Sequence, residues 1–289
     1  MDHVILTRFN LPSKGPESVI RTQPGWLRSR VGLFETYCLP SMLAQTTKSY
    51  RWLIYFDPQS PDWLRSWIEE HVASGHFISV FRAEVTGEEL AGDIGAPFET
   101  PGKELITTNL DNDDALAHDF VERLQTQPSP SSATVYYFST GLIKSAAGVY
   151  RRYDRHNAFP SVREPWSERL RTCWADWHNH LPRHMEVVEI GGHPGWLQVV
   201  HDNNVTNRIR GTLVSPADYR PLFGNLLDDV ETPSNLTLAQ DYLINRPLRI
   251  TRDSGIHIAK TVLLSVGGRA GFDRVKQVIA ARVVRRKVH

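Results

Sequence analysis

Asp111, Asp113 and Asp114 place three carboxylates within four positions, in the stretch ITTNLDNDDAL at residues 106–116. Charges that close repel one another unless a positive group lies among them. In extended backbone alternate side chains share a face, so Asp111 and Asp113 point the same way. Two such carboxylates are half a site for Mg²⁺ or Mn²⁺, ions that take oxygen ligands and complete their shell with phosphate oxygens. A cation there would remove the repulsion and stabilise a departing diphosphate. The competing reading is structural: Asp113 or Asp114 caps a helix beginning at Ala115, and the others are solvated at its positive end. These residues alone do not choose between the two.

Two more residues share the setting. Asp57 ends the apolar run Trp52–Phe56 in YFDPQSPD. A carboxylate there can accept the imide N–H of uracil or thymine, or it can close an Asx turn. His201 directly follows the strand-like Leu197–Val200 in WLQVVHDNNVTN. A neutral imidazole could supply a remaining ligand to a metal held by Asp113. With 12 histidines in the chain, an ordinary surface role competes.

The elements that must position these residues follow from periodicity. Val4–Thr7 predicts a first strand, ended by turn residues from Arg8 to Ser13. Trp26–Gln45 predicts a helix carrying Leu33, Phe34, Tyr37, Cys38 and Met42, with a kink or break at Pro40. Trp52–Phe56 is a continuous apolar run typical of a buried parallel strand. Ser60 stands where it can cap the helix behind Pro61, on which Trp63, Leu64, Trp67 and Ile68 share a face. Phe77–Phe81 predicts a strand, residues 83–102 a Gly- and Pro-rich loop, Leu105–Leu110 a strand and Leu116–Leu124 a helix. Such alternation argues for βαβ units and a parallel sheet. Ligands of such sheets bind beyond the carboxyl ends of the strands, where Asp57 and Asp111 stand. In the second half, Ala133–Phe138, Leu142–Val149 and Leu197–Val200 read as strands and Ser167–Trp177 as a helix. Pro216–Arg285 reads as mostly helical, with Gly267 and Gly268 breaking the last two helices.

Composition narrows the function classes. Hydrophobic residues make up 40% and charged residues 22%, which suits a globular protein with a sizeable core. Lys and Arg total 33 against 32 Asp and Glu, so net charge argues for no nucleic-acid partner. Arg282, Arg285, Arg286 and Lys287 form a local basic cluster, suited to anionic lipid or simply to water. Cys38 and Cys173 lack metal-ligand spacing, which fits a reducing, cytoplasmic setting rather than a zinc site. The N-terminal apolar run has no basic region before it and reads as a strand, not a signal peptide. No apolar run approaches the ~20 residues that span a bilayer. The expectation is a cytoplasmic protein, at most peripheral at the membrane's cytoplasmic face.

In this order the motifs resemble those of GT-A glycosyltransferases, the family-2-like ones in particular. YFDPQSPD looks like their base-reading strand end, with Asp57 in that role. NLDNDDAL looks like their DxD metal motif at Asp111, Asp113 and Asp114. More narrowly, TRFNLPS, WLRSRVGLFETYCLPSMLAQTTKSYRWLIYFD, ITTNLDNDDAL and WLQVVHDNNVTN are similar to a bacterial family named for rhamnosyl transfer. The resemblance implies a Rossmann-like, mainly parallel central sheet flanked by helices over residues 1–212, and a mostly helical region over 213–289. It implies transfer of a sugar, rhamnose by the family's name, from a UDP- or TDP-linked donor to an acceptor hydroxyl. It also implies Mn²⁺ or Mg²⁺ held by Asp113 and His201, with Asp111 on the ribose or the metal. The sequence departs from the pattern at Pro58 and Gln59, which replace an Asp and a Gly, and in lacking a later Glu-Asp pair.

Such a reaction also needs nucleotide contacts and, for inversion, a general base. Arg8 and Asn10 beside the first strand are candidates for the nucleotide pocket. Arg28, Arg30 and Lys103 are candidates for phosphate contact, with surface solvation competing at each. Glu164 in FPSVREPW is the preferred base and Asp176 in CWADWHNH the alternative; a retaining mechanism would need neither. Tyr150, Tyr153, Phe159, Trp166 and Trp196 could stack on sugars or merely pack. The acceptor could be a glycan, a lipid-linked molecule, a small molecule or a protein. Two other functions compete: a nucleotidyltransferase acting on sugar phosphates, and a non-catalytic carbohydrate-binding protein of the same fold.

Overall fold

A computed structural model describes residues 1–12, 24–167, 169–201 and 209–251. The chain divides into two compact units, Met1–Pro12 with Leu27–Thr232 and Ser13–Trp26 with Pro233–His289.

The first unit holds two sheets. Its strands in chain order are β1 (Asp2–Arg8), β2 (Arg51–Phe56), β3 (Ile78–Phe81), β4 (Glu104–Asn109), β5 (Ala115–Leu116) and β6 (Thr134–Phe138). They continue with β7 (Thr140–Ser145), β8 (Gly148–Tyr153), β9 (Ser161–Pro165), β10 (Glu186–Ile190), β11 (Trp196–Val199) and β12 (Thr212–Val214). The seven-stranded sheet runs β10-β6-β9-β4-β1-β2-β3, and the five-stranded sheet runs β12-β8-β7-β11-β5. In the larger sheet every pairing is parallel except those of β9, which runs against β4 and β6. This is the mainly parallel α/β sheet that the alternation of elements predicts.

The helices follow as α1 (Trp26–Leu33), α2 (Leu39–Leu43), α3 (Asp62–Ala73), α4 (Gly87–Gly95) and α5 (Phe120–Gln125). Alternation along β2 supplies a face to each side of the sheet. Leu53 and Tyr55 join Leu90 and Ile94 of α4 in one core cluster. Trp52 and Phe56 turn the other way, into an aromatic cluster with Phe34, Phe77 and Trp67 of α3. Phe9, just beyond β1, lies 5.5 Å from Phe34 and 5.1 Å from Phe56, ring centre to ring centre. That cluster fixes α1 and the start of α2 against the carboxyl end of β1.

Several elements differ from expectation, each for a local reason. α1 and α2 are joined by a π turn at Phe34–Cys38, in which the Leu39 N–H reaches back to the Phe34 carbonyl. The irregularity therefore precedes Pro40, which has no N–H to give the turn before it. Ser60 does not cap α3; its hydroxyl donates to the Asp57 carbonyl at 2.7 Å and accepts from Asn10 Nδ2 at 3.0 Å. Residues 83–102 contain α4 instead of forming only a loop, because Thr86 and Glu89 make a reciprocal capping box. Leu142–Val149 is a hairpin of two strands, with Gly148 at φ 140° just past the turn. β9 and β10 are strands that periodicity did not show, and Ser167–Trp177 is irregular rather than helical.

Beyond β12 the first unit ends in short helical turns at Pro216–Tyr219, Arg220–Phe223 and Gly224–Leu227. In the second unit, Asn235–Gln240 runs on through a π turn at Asp241–Asn245. Gly267, Gly268 and the basic cluster from Arg282 to Lys287 lie outside the described residues. No described helix is long and apolar enough to cross a membrane.

Candidate active site at the carboxyl ends of the central strands

The register brings three strand ends together. Leu6 of β1 lies opposite Asn109 of β4, and Arg8 lies opposite Tyr55 of β2. The Leu110 N–H donates to the Leu6 carbonyl at 3.0 Å, carrying the alignment one residue beyond the strand. Arg8, Asn10, Asp57 and the acidic cluster therefore share the carboxyl edge of the sheet. From Leu110 to Asp114 the chain leaves the larger sheet and enters the smaller one, where β5 pairs with β11.

Asp113 is the hub. Its Oδ2 accepts from Arg30 Nη1 at 2.7 Å and lies 2.9 Å from His201 Nε2. Asn112 completes the arrangement: its amide donates to the Phe9 carbonyl at 2.8 Å, and its Oδ1 accepts from Arg30 Nη1 at 3.0 Å. Asp114 does not cap a helix. Its Oδ1 accepts the Val199 N–H at 2.8 Å, tying the acidic turn to β11 two residues before His201. Asp111 is exposed and 3.4 Å from Asn109 Nδ2. Asp113 and His201 are thus together as the sequence suggests, whereas the sequence does not single out Asn112, and Arg30, a candidate for phosphate contact or for surface solvation, pairs with Asp113.

The three carboxylates are electrostatically unequal. The surrounding protein pushes Asp111 up to about 6, and the nearby Asp113 charge adds to the shift. Asp111 is nonetheless open to water, unlike Asp113 and Asp114. Burial opposes the charge of Asp113, but the His201 hydrogen bond and the Arg30 guanidinium outweigh it and hold its carboxyl below the usual range. Asp114 is enclosed, and burial, then the charges of Asp113 and Asp111, push it well above that range. Beneath them the buried Cys38 thiol is pushed up by burial and by the same three carboxylates.

The remaining candidates divide between the two ends of the sheet. Asp57 closes an Asx turn through the Gln59 N–H at 2.8 Å, and its own N–H donates to Asn10 Oδ1 at 3.0 Å. Arg8 lies over the Trp174 ring at 4.1 Å, and the Trp174 indole donates to Asn109 Oδ1 at 2.8 Å. Asp176, two residues on, accepts from the Trp177 N–H at 2.7 Å and lies 3.1 Å from His184 Nε2. Arg28 rests over Trp63 at 4.4 Å.

Lys103 and Glu164 are not brought to the cluster. Lys103 is exposed before the amino end of β4, about 20 Å of strand from Asp111 at ~3.3 Å per residue. Glu164 pairs with Leu105, also near that end, because β9 runs antiparallel to β4. Its carboxylate receives the Arg171 and Thr172 N–H groups at 3.0 Å. It borders a cavity of about 630 Å³ shared with Arg171, Arg183 and His184. Of the aromatic candidates, Trp196 stacks on Phe159 at 5.1 Å and donates to the Phe138 carbonyl, and the Trp166 indole donates to Asp2. These three are packing residues.

The donor chemistry fits a divalent cation. Asp113 Oδ2 and His201 Nε2 bring a carboxylate oxygen and an imidazole nitrogen side by side, donors that would hold an ion such as Mn²⁺ or Mg²⁺. Among the described residues no group of three His, Cys, Asp or Glu forms a ready-made cage. That suits an ion that keeps waters and takes the rest of its shell from a phosphorylated substrate.

The fold and the strand-end cluster define an α/β protein with a polar site beyond the carboxyl ends of a mainly parallel sheet. Residues 2–213 match the family described as "Putative rhamnosyl transferase", and the chain belongs to that family and so to glycosyl transfer as a reaction class. No curated protein matches. Among solved structures, one titled a putative nucleotide-diphospho-sugar transferase, from Desulfovibrio desulfuricans G20, is 10% identical at TM-score 0.35. That match covers 70% of this chain and 83% of that one. S. aureus TarS 1-349 in complex with UDP is 9% identical at TM-score 0.38, covering 69% and 61%. The inositol-1-phosphate CTP transferase from T. maritima is 9% identical at TM-score 0.34, covering 68% and 89%. Likenesses this distant carry no weight for the activity.

Proposed function

We propose that the chain transfers a sugar, rhamnose by the family's description, from a UDP- or TDP-linked donor to an acceptor hydroxyl. The observation that carries this is Asp113 and His201, 88 residues apart in sequence, sharing one contact at 2.9 Å beyond the central strands. Asp113 and His201 hold Mn²⁺ or Mg²⁺ in this reading, with exposed Asp111 on the ion or the ribose. When bound, the ion supplies positive charge against the leaving diphosphate. Asp57 offers its carboxylate to the imide of the base, and Asn10 fixes the backbone at Asp57. Arg8, backed by Trp174, lines the nucleotide side. Of the two carboxylates advanced as general base, Asp176 is the better placed, because Trp174 carries its segment to the Arg8 and Asn109 end of the sheet. Two free, buried cysteines fit a reducing compartment such as the cytoplasm.

Thermal shift with UDP, TDP and GDP, with and without Mn²⁺, tests the reading. One nucleotide is expected to raise Tm, and more so with Mn²⁺; a ligand at a hundred times its Kd adds about 2.7 kcal/mol. Asp113→Ala is expected to abolish the Mn²⁺-dependent part. The reading fails if no nucleotide binds and Asp113→Ala changes nothing. Release of pyrophosphate from a nucleoside triphosphate and a sugar phosphate would favour nucleotidyl transfer instead. Binding without turnover would favour a non-catalytic protein.

A further inference from the structure

We infer that Arg30 is an internal stand-in for the cation: it holds Asp113 while the site is empty and moves onto the donor's diphosphate when the metal arrives. The inference rests on the function proposed above and deepens it.

The geometry is specific. Arg30 Nη1 donates to Asp113 Oδ2, the same oxygen that lies beside His201 Nε2, so the guanidinium and a metal would compete for one atom. Asn112 holds the guanidinium on that oxygen through its Oδ1 and is itself fixed by the Phe9 carbonyl. Two cations this close would repel, so one must leave when the other binds. The metal has the stronger hold, because Asp113 and His201 both remain as ligands, whereas Arg30 keeps other choices. Its side chain is long and unbranched, and only half-buried. A guanidinium is planar and matches paired phosphate oxygens. The turn that follows α1 is anchored by Phe34 in the aromatic cluster, so the side chain rather than the helix would make the move to the diphosphate.

Arg30 then makes metal and donor interdependent. Without donor, Arg30 opposes the metal and gives the buried Asp113 carboxylate a second partner beside His201. With donor, Arg30 gains a phosphate partner and stops opposing it. Metal and nucleotide should therefore bind synergistically, and Arg30 should be the source of part of that synergy.

Calorimetric titration of wild type, Arg30→Ala and Arg30→Gln with Mn²⁺ alone, and with UDP and TDP at saturating Mn²⁺, tests this. Both variants are expected to bind Mn²⁺ alone more tightly, by about tenfold, and nucleotide more weakly, by a similar factor. These opposite signs are the signature; a merely structural residue would weaken both. The inference is overturned if Mn²⁺ alone binds either variant no better than wild type, or if nucleotide affinity is unchanged. Arg30→Gln keeps the result interpretable should Arg30→Ala fail to fold. Asp113→Asn, titrated in parallel, separates the two ideas. If Mn²⁺ binding persists without Asp113, the metal site itself is wrong and both readings fall. If binding is lost in Asp113→Asn but unmoved in the Arg30 variants, only the role of Arg30 falls.

Discussion

Glu164→Gln separates a base from a brace. Glu164 is 3% exposed and lies near the amino end of the sheet. The Arg171 N–H donates to both of its carboxylate oxygens at 3.0 Å, and the Thr172 N–H donates to one of them at 3.0 Å. Thr172 has φ 46°, an unfavourable conformation for a β-branched residue, which persists only because its surroundings fix it. Two residues later Trp174 reaches Asn109 and Arg8. Glutamine keeps one carbonyl oxygen for both N–H groups but loses the charge, and its amide nitrogen cannot accept the second contact from the Arg171 N–H. One charge-assisted bond lost corresponds to about 2 kcal/mol. At 2–4 °C per kcal/mol for a unit of this size, Tm should fall by roughly 4–8 °C. Sugar transfer measured well below that Tm should stay within about threefold of wild type, with an unchanged pH profile. Loss of a general base would instead cost about 10²-fold or more and remove one limb of the profile, as expected here for Asp176→Asn. If Glu164→Gln melts like wild type yet loses that limb, the placement argument is refuted and Glu164 is the base.

Two other outcomes follow from buried groups. His3 is buried, and burial first, then the Arg163 charge, lower its pKa from 6.5 to about 3. Between those values the unfolded chain binds a proton that the folded one does not, so its contribution is full above pH 6.5 and is lost as pH falls. The loss is ~1.4 kcal/mol per pH unit, about 2 kcal/mol from pH 6.5 to 5; urea melts should show His3→Gln losing that much less than wild type. Asp114→Asn keeps an oxygen for the Val199 N–H and resembles the protonated acid that burial favours. It should change Tm by less than about 2 °C and spare Mn²⁺-dependent nucleotide binding; behaviour like that of Asp113→Ala would refute the division of roles.

The strands that build the site were legible because a strand buried on both faces must be apolar throughout, as Trp52–Phe56 is. Strand ends could then be counted, which put Asp57 and Asp111 beyond the carboxyl ends of their strands. What could not be read was partnership across distance. Arg30 meets Asp113 from 83 residues away, and nothing in WLRSRVGL separates it from Arg28. Lys103 and Glu164 were misplaced for one reason: position along a strand depends on direction and register. β9 is five residues long and contains an Arg, a Glu and a Pro, so it announces neither. α4 was hidden by its glycines, although the Thr86 to Glu89 spacing was a usable signal. Asp114 was given the local role its position suggested, whereas its partner is Val199 on another strand.

The crossing from β4 to β5 has a mechanical consequence. Asp113 stands on the crossing from the larger sheet, and the Asp114 to Val199 bond fastens the far end of that crossing to β11, the strand that leads to His201. The separation of Asp113 and His201 therefore depends on how that crossing is seated on β11. Gly141, whose added Cβ would come within 2.0 Å of the Trp196 ring, leaves room on β7 for that residue of the neighbouring β11. Changes in packing along β11, far from any substrate, would be read out as a change in the spacing of Asp113 and His201.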